Sequence, residues 1–167
     1  MLASTNSRDA YMSDPRPAVE VFLGVGSNTQ RQRHLRIAIC DLQHILRDIR
    51  CSPVYESAAI GIEAPAFHNL VVRGTTCLQL PKLSRALKEL ELKHGRNRES
   101  PAVVTLDVDI LIYGEREGCV DGRVLPCDEL ITRAYVLKPM SQLVPEKLHP
   151  LTGLSYASLW AEFELKD

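Results

Sequence analysis

The order of the secondary-structure signals predicts a two-layer α+β sandwich, in which a mostly antiparallel sheet carries its helices on one face. Alternating apolar residues mark several short strands, and apolar residues at helical spacing mark two long helices. The helices fall between strands without strict alternation, in the order strand, helix, strand, strand, helix, strand. This order is typical of a ferredoxin-like sandwich, and the second face of its sheet is expected to be free to hold ligands.

Length and composition fit one globular domain. The chain has 167 residues, of which 45% are hydrophobic and 25% are charged, and its formal net charge is −1. This balance argues against a nucleic-acid or membrane-surface partner, because nothing in it attracts a polyanion. We expect residues 1–17 to form a flexible tail, residues 18–167 to form the single domain, and the protein to be a monomer.

The cysteines and the apolar runs indicate a compartment. Five cysteines are present without a C-x-x-C pair, so their spacing predicts neither a zinc site nor a disulfide framework. The N-terminus lacks the apolar run of a signal peptide, and no run elsewhere is long enough for a membrane span. A reducing, cytoplasmic location is therefore expected.

The first half of the chain predicts a strand, a helix and two further strands. Residues 19–23 alternate as a strand and run into a glycine pair, but the third glycine of a dinucleotide-binding loop is absent. Apolar residues then keep helical spacing from Gln32 to Ile49. Strands are expected from Arg50 to Ser57 and from Phe67 to Cys77, joined by the loop Ala58 to Ala66.

Phe67 and Asn69 would share one face of their strand, because successive side chains of a strand alternate between faces. An aromatic ring beside an amide suits a flat heterocycle, which the ring can stack and the amide can hydrogen-bond. The alternative is that Phe67 is simply a core residue, and the strand pattern leaves both interpretations open.

A second helix is predicted with Pro81 in its first turn and Gly95 just after its last. Arg96 and Arg98 follow directly. Two cations at this place either bind an anion or only complement the negative end of the helix dipole.

Residues 105–114 give the strongest strand signal and carry two aspartates on one face. Leu106, Val108, Ile110 and Ile112 are expected on the other face. Asp107 and Asp109 would lie about 6.6 Å apart at Cα, which is close enough to hold one or two divalent cations. The alternative is a solvated face, or aspartates paired to nearby arginines.

The C-terminal quarter predicts one more extended segment and one helix. Arg133 to Leu137 has the composition of a strand. Ser155 to Phe163 has helical spacing, with Ser155 as the N-cap and Leu159, Trp160 and Phe163 packed inward.

A series of short motifs lies in order along residues 19–163. They are Gly26-Ser27-Asn28, Tyr55-Glu56-Ser57 with Gly61, Phe67-x-Asn69, Glu91-x-x-x-Gly95-Arg96-x-Arg98, Leu106-Asp107-x-Asp109-Ile110-Leu111 with Gly114, Pro126, and Arg133-x-Tyr135-Val136-Leu137-x-Pro139. No single motif is decisive. Their order and spacing together resemble 6-hydroxymethyl-7,8-dihydropterin pyrophosphokinase, the diphosphokinase family of folate biosynthesis.

The resemblance implies transfer of pyrophosphate from ATP to the hydroxymethyl group of a reduced pterin, with release of AMP. It implies that Asp107 and Asp109 hold two Mg²⁺ ions. At the nucleotide end it implies Glu91 as a nucleotide-binding residue, and it implies Arg96, Arg98 and Arg133 as cations that bind the nucleotide and are catalytic. Such a transfer depends on positioning and charge neutralisation, so it requires no protein nucleophile.

The same resemblance implies a pterin site. Phe67 and Tyr135 would sandwich the pterin ring. Asn69, Ser57 and the backbone near Ile60 would bind the polar edge of that ring.

The chain departs from the family in two places. Many members carry an Arg-Trp-Gly-Pro-Arg loop that closes over ATP, whereas Glu99 to Val104 is shorter here and contains no positive charge. Cys127 follows Pro126, where family members commonly place histidine. A non-catalytic pterin- or nucleotide-binding paralogue of the same fold is therefore the alternative function. A regulatory module without nucleotide is a third, against which both aspartates argue.

Overall fold

The sheet and its helices are seen in a computed structural model that describes residues 16–166, so the tail predicted over residues 1–17 lies almost entirely outside the described residues. Seven strands and five helices occur in this part of the chain. The strands are β1 (Val19–Ser27), β2 (Arg47–Cys51), β3 (Tyr55–Ser57), β4 (Phe67–Thr76), β5 (Asp107–Tyr113), β6 (Gly118–Val120) and β7 (Arg123–Leu125). The helices are α1 (Arg31–Leu42), α2 (Leu80–Lys93), α3 (Glu129–Thr132), α4 (Ala134–Leu143) and α5 (Tyr156–Glu164).

The main sheet is antiparallel throughout, which confirms the predicted α+β class. Its order is β2-β4-β1-β5, and β3 pairs with β4 beside β2. Strands β6 and β7 form a separate hairpin. The strand predicted from Arg50 to Ser57 is divided into β2 and β3, and Pro53, which has no N–H to donate to a ladder, lies between them.

Helices α1 and α2 pack on one face of the sheet, as predicted. Their buried leucines meet the apolar face of β1 and β5, and this first core contains Leu35, Leu42, Leu83, Leu90, Val21, Leu23, Val25, Val108 and Ile110. Each fully buried leucine or valine contributes about 1.5–3 kcal/mol. This core fixes the sheet on which the site is built.

Three shorter helices from the C-terminal third add a partial layer on the other face. Helices α4 and α5 form a second core there with Phe22, Val71 and Leu111 of the sheet. The face that was expected to be free for ligands is therefore only partly open. Among the helices of residues 16–166, none combines the length and apolarity needed to cross a bilayer.

The first helix ends earlier than predicted. Helix α1 stops at Leu42, and β2 already begins at Arg47, so the prediction of a helix up to Ile49 is wrong. Ile45, Leu46 and Ile49 still contact the first core from a turn and a strand. Apolar spacing alone could not locate the end of this helix, because Ile45, Leu46 and Ile49 fit both the helical and the strand period over so few residues.

Two further expectations differ from the structure. The register of β5 against β1 shifts between Phe22 and Leu23, so Ile112 joins Leu111 in the second core and not Val108 in the first. The segment predicted as extended from Arg133 is instead helical from Ala134. Its apolar residues suit a helix and a strand equally well over five positions.

Candidate active site

A cavity of about 200 Å³ lies over the centre of the sheet, where β1 carries two glycines. Gly26 pairs with Asn69 of β4 on one side and with Asp107 of β5 on the other, and Gly24 likewise pairs with Asp109. The absence of two side chains from the central strand leaves the space between the flanking strands empty. These glycines lie inside β1, whereas the sequence pattern placed them after a shorter strand.

Position 26 requires a glycine because the side chain of Asn69 approaches the backbone closely there. A Cβ atom at this position would lie 2.8 Å from Oδ1 of Asn69, closer than real Cβ contacts allow. A Cβ atom at Gly24 would lie 3.5 Å from the side chain of Leu111, which is an ordinary contact. The amide of Asn69 therefore occupies the room that Gly26 leaves.

The cavity has aromatic walls from two distant parts of the chain. Phe67 begins β4, and Tyr135 lies in the first turn of α4, and both line the cavity. Burial, followed by the nearby carboxylate of Glu129, raises the pKa of Tyr135 to about 12. Its hydroxyl therefore stays protonated at neutral pH and can donate a hydrogen bond.

One end of the cavity presents neutral polar groups. The amide Nδ2 of Asn69 donates to Oγ of Ser57 at 2.9 Å, across the pairing of β3 with β4. Ile60 lines the same end from the loop that follows β3. The structure thus brings together the five predicted pterin-site residues, Ser57, Ile60, Phe67, Asn69 and Tyr135.

The opposite end presents three carboxylates, those of Asp107, Asp109 and Glu129. Neither aspartate forms an ion pair or a side-chain hydrogen bond with another described residue. The Asp109 side chain is exposed to the cavity. Desolvation by the surrounding protein atoms, followed by the charges of Asp107 and Glu129, nevertheless raises its pKa to about 7, and the charge of Arg123 opposes this rise. A carboxylate that forms no ion pair and has negative neighbours is suited to bind a cation.

Glu129 was not predicted from the sequence. It is the first residue of α3, and burial raises the pKa of its carboxyl group although the Tyr135 hydroxyl favours the ionised form. The only signal was the acidic pair that follows Cys127 at the point where the chain departs from the resembled family.

A second cavity, of about 100 Å³, adjoins the aspartates on the side of α2. Asp107 and Asp109 line both cavities, so they stand at the junction of the two. The second cavity is lined by residues of both charges, Lys88, Glu91, Arg98 and Arg123, and by Ser84 and Leu87. An aromatic-walled space and a cation-lined space therefore meet at one pair of carboxylates.

Glu91 connects α2 to the aspartate strand. It is only 5% exposed, and its carboxylate accepts hydrogen bonds from the backbone N–H of Val108 at 2.9 Å and from Arg98 at 3.2 Å. Burial raises the pKa of Glu91, while the bond from Val108 opposes the rise. Glu91 thus has a structural role in addition to its position beside the second cavity.

The comparison with protein families agrees with this geometry. The model of the family described as 7,8-dihydro-6-hydroxymethylpterin-pyrophosphokinase (HPPK) matches residues 22–145, which is well over half of the chain. The chain belongs to the HPPK family.

Relatives within the HPPK family differ widely in length. A 2-amino-4-hydroxy-6-hydroxymethyldihydropteridine pyrophosphokinase from Pseudomonas aeruginosa is 34% identical over 133 residues, which cover 75% of this chain and 81% of that protein. The Folic acid synthesis protein fol1 of Pneumocystis carinii is 28% identical over 144 residues, which cover 83% of this chain but only 19% of that protein. The chain also spans 57% of the corresponding pyrophosphokinase of Synechocystis.

The fold of a solved HPPK-containing protein is similar. A chain of Plasmodium falciparum HPPK-DHPS superposes with a TM-score of 0.71 at 11% sequence identity, and the match covers 93% of this chain and 44% of that one. At this identity the likeness concerns the fold, and it supports the predicted ferredoxin-like sandwich.

Ser27 and Asn28 of the motif Gly26-Ser27-Asn28 hydrogen-bond the backbone of the segment before β5. Asn28 donates from Nδ2 to the carbonyl of Ala102 at 2.8 Å and accepts at Oδ1 from the N–H of Val104 at 2.7 Å. Ser27 donates to the carbonyl of Val104 at 3.3 Å. The motif therefore fastens the segment Glu99 to Val104 against the end of β1.

The predicted arginines are not all brought to the cavities. Arg98 lines the second cavity. Arg96 instead donates to the carbonyl of Val103 at 3.2 Å, and Arg133 is exposed before the first turn of α4. Neither of the two lines either cavity.

The aspartates suit a magnesium ion. Carboxylate oxygens are its preferred protein ligands, and it is commonly bound by one or two carboxylates together with substrate phosphates. Within residues 16–166 no group of three or more metal-ligating side chains is found.

Proposed function

We propose that this chain transfers pyrophosphate from ATP to the hydroxymethyl group of 6-hydroxymethyl-7,8-dihydropterin, releasing AMP, as a step of folate biosynthesis. The observation that carries the proposal is the placement of Asp107 and Asp109, which line both the aromatic-walled cavity and the cation-lined cavity. Membership of the HPPK family, and the names of relatives in it, support the same reaction.

The first cavity would bind the pterin. Its ring would lie between Phe67 and Tyr135, and its polar edge would meet Asn69, Ser57 and the backbone near Ile60. Because these groups form one end of the cavity, the hydroxymethyl group would point to the carboxylate end. The substrate hydroxyl oxygen would there attack the β-phosphorus of ATP. The bond between this phosphorus and the oxygen that bridges it to the α-phosphate would break to release AMP, and the hydroxyl proton would be lost to solvent.

The second cavity would hold the phosphates. Asp107 and Asp109 would bind two Mg²⁺ ions, which supply charge neutralisation on the phosphates. Arg98 would contact the nucleotide end, with Glu91 beside it. We retain Arg96 and Arg133 as catalytic cations in this proposal, although each would have to leave its present position to reach the nucleotide.

The setting of the protein forms part of the proposal. We place it in the cytoplasm as a monomer, without a nucleic-acid or membrane partner. The cysteine spacing supports a reducing compartment, and the formal net charge of −1 offers no general attraction for a polyanion.

A second candidate is a non-catalytic pterin- or nucleotide-binding paralogue. The observation in its favour is the segment Glu99 to Val104, which carries no cation. Loss of one transition-state arginine typically costs several kcal/mol, or about three decades in rate.

One assay separates the two candidates. The purified chain is incubated with ATP, Mg²⁺ and 6-hydroxymethyl-7,8-dihydropterin, and AMP is measured. We expect AMP from the wild-type chain and none above background from Asp109→Ala. Asp121→Asn, which removes a carboxylate from the exposed β6–β7 turn and tolerates the positive φ there, serves as the control. Pterin binding without AMP formation by the wild-type chain would support the binding protein instead.

A further inference from the structure

The phosphate end of the site lacks the cation that a lid would bring. The segment Glu99 to Val104 contains no lysine or arginine and is fastened by Asn28. Arg96 is turned toward the carbonyl of Val103, and Arg133 lies outside both cavities. The charge of a transferring phosphoryl group nevertheless has to be neutralised by something positive besides the metal.

Arg123 lies where such a charge is needed. It is the first residue of β7, and it lines the second cavity together with Asp107 and Asp109. Its Nη2 donates to Oγ of Ser84 on α2 at 3.1 Å, which holds the half-buried side chain between the hairpin and the helix. Within the described part of the chain Arg123 forms no ion pair. Most of its five N–H donors are therefore left for a ligand.

The other cations of this cavity are held less firmly or are already paired. The side chain of Arg98 is 70% exposed and contacts the carboxylate of Glu91 at 3.2 Å. Lys88 is exposed one turn along α2 from Ser84. A planar guanidinium held by a hydrogen bond is also better suited than an ammonium to contact two phosphate oxygens at once.

We propose that Arg123, positioned by Ser84, contacts the phosphate chain of ATP and supplies the fixed positive charge that the segment Glu99 to Val104 lacks. This inference rests on the proposed diphosphotransfer and adds to it a cation from a hairpin that the sequence motifs did not include. Arg123 would be a catalytic residue that touches the nucleotide, and Ser84 would be a positioning residue.

The test compares four variants for steady-state kinetics with ATP and for binding of α,β-methylene-ATP with Mg²⁺. They are Arg123→Gln, Arg123→Lys, Ser84→Ala and the control Arg85→Gln, which removes an exposed charge next to Ser84 on the same helix and outside both cavities. We expect Arg123→Gln to lower kcat/KM for ATP by about 100-fold or more. Arg123→Lys keeps the charge, so its kcat/KM is expected to fall less than that of Arg123→Gln. The kcat/KM of Arg85→Gln is expected to remain within about twofold of wild type.

The Ser84 variant distinguishes two roles of Arg123, a contact with the phosphates of ATP and a purely structural link between the hairpin and α2. Ser84→Ala leaves the guanidinium in place, so we expect a loss of less than about tenfold, as for one neutral hydrogen bond. If Ser84→Ala equals Arg123→Gln and lysine restores nothing, Arg123 only fastens the hairpin to α2 and the inference is overturned. It is also overturned if Arg123→Gln behaves like Arg85→Gln.

Two further measurements keep the outcome interpretable. Thermal unfolding and KM for the pterin are measured for every variant, and we expect both to be unchanged in Arg123→Lys. If the wild-type chain forms no AMP, the proposed function fails, while the binding of α,β-methylene-ATP still decides whether Arg123 contacts the phosphates.

Discussion

At the scale of single residues, the proposed pterin cavity depends on a missing side chain. Gly26 gives Asn69 the room in which its amide meets Ser57. The same strand has a second glycine, Gly24, whose added Cβ would make only ordinary contacts. Substitution of the two glycines is therefore expected to have different effects, although both lie on one face of β1.

We expect Gly26→Ala to weaken pterin binding by about tenfold or more, because the new Cβ displaces the amide of Asn69 and a hydrogen bond to the ligand is lost. Pterin affinity measured by fluorescence titration checks this. Gly24→Ala is the matched control and should have the smaller effect. Equal losses in the two variants would contradict the role given to Asn69.

Asp109 shows how an uncompensated charge in the site affects stability. Its pKa is raised to about 7 from an ordinary value of 3.8, chiefly by desolvation among the surrounding protein atoms and then by Asp107 and Glu129, while Arg123 opposes the rise. Between these two values the folded protein binds a proton that the unfolded chain does not. The stabilising contribution of this group is therefore present at low pH and is lost as the pH rises through about 7.

Asp109→Asn should consequently raise the midpoint of thermal unfolding of the metal-free protein at pH 8, and should raise it less at pH 5, where the wild-type side chain is already protonated. Melting curves at the two pH values measure this. Asp121→Asn removes the same charge from an exposed turn and is the control. A similar rise in both variants at pH 8 would show that only the net charge matters.

At the scale of elements, the helices hold the site open as well as forming the cores. Tyr135 reaches the cavity because α4 begins at Ala134, and Glu129 reaches it because α3 begins there. Helix α5 packs behind α4 through Leu159, Trp160 and Phe163 and contributes to the second core. The stability of this last helix therefore supports the position of Tyr135.

The N-cap of α5 offers a direct test. Ser155 accepts a hydrogen bond from the backbone N–H of Ser158 at 3.1 Å, as the sequence predicted for its N-cap position. Ser155→Ala should lower the free energy of unfolding by about 1 kcal/mol, measured by urea denaturation. Ser158→Ala keeps the donating N–H and should cost less. If the two variants are equally destabilised, the cap contributes nothing specific.

At the scale of the whole molecule, one sheet serves two cores. Adjacent residues of β1 face opposite ways, so Leu23 lies in the first core and Phe22 in the second. The proposed pterin cavity occupies the part of the second face that α3 to α5 leave uncovered. Loss of either core should therefore unfold the strands that the two cores share.

We expect urea unfolding to be a single cooperative transition, since neither layer can persist without the sheet. Trp160 is the only tryptophan in the sequence and packs against the second core, so its fluorescence reports that layer, while far-UV circular dichroism reports the whole chain. The two curves should coincide. Leu83→Ala, in the first core, should shift both curves equally, and separate midpoints would show that the C-terminal layer unfolds independently.

The sequence by itself determined the elements whose signal is local. Strand alternation placed Asp107 and Asp109 on one face, helical spacing found α2 and its stop at Gly95, and the cap at Ser155 followed from its position. The ordered motifs indicated the family. Such patterns depend on residues two to four positions apart, so they can be recognised in the sequence without knowledge of the tertiary structure.

Only the tertiary structure decided where α1 ends, that the segment after Arg133 is helical, and which charged groups reach the cavities. It brought in Glu129 and Arg123 and left Arg96 and Arg133 outside. The physical reason is that each cavity is bounded by segments far apart in sequence, so its lining depends on how the layers pack and not on any local period.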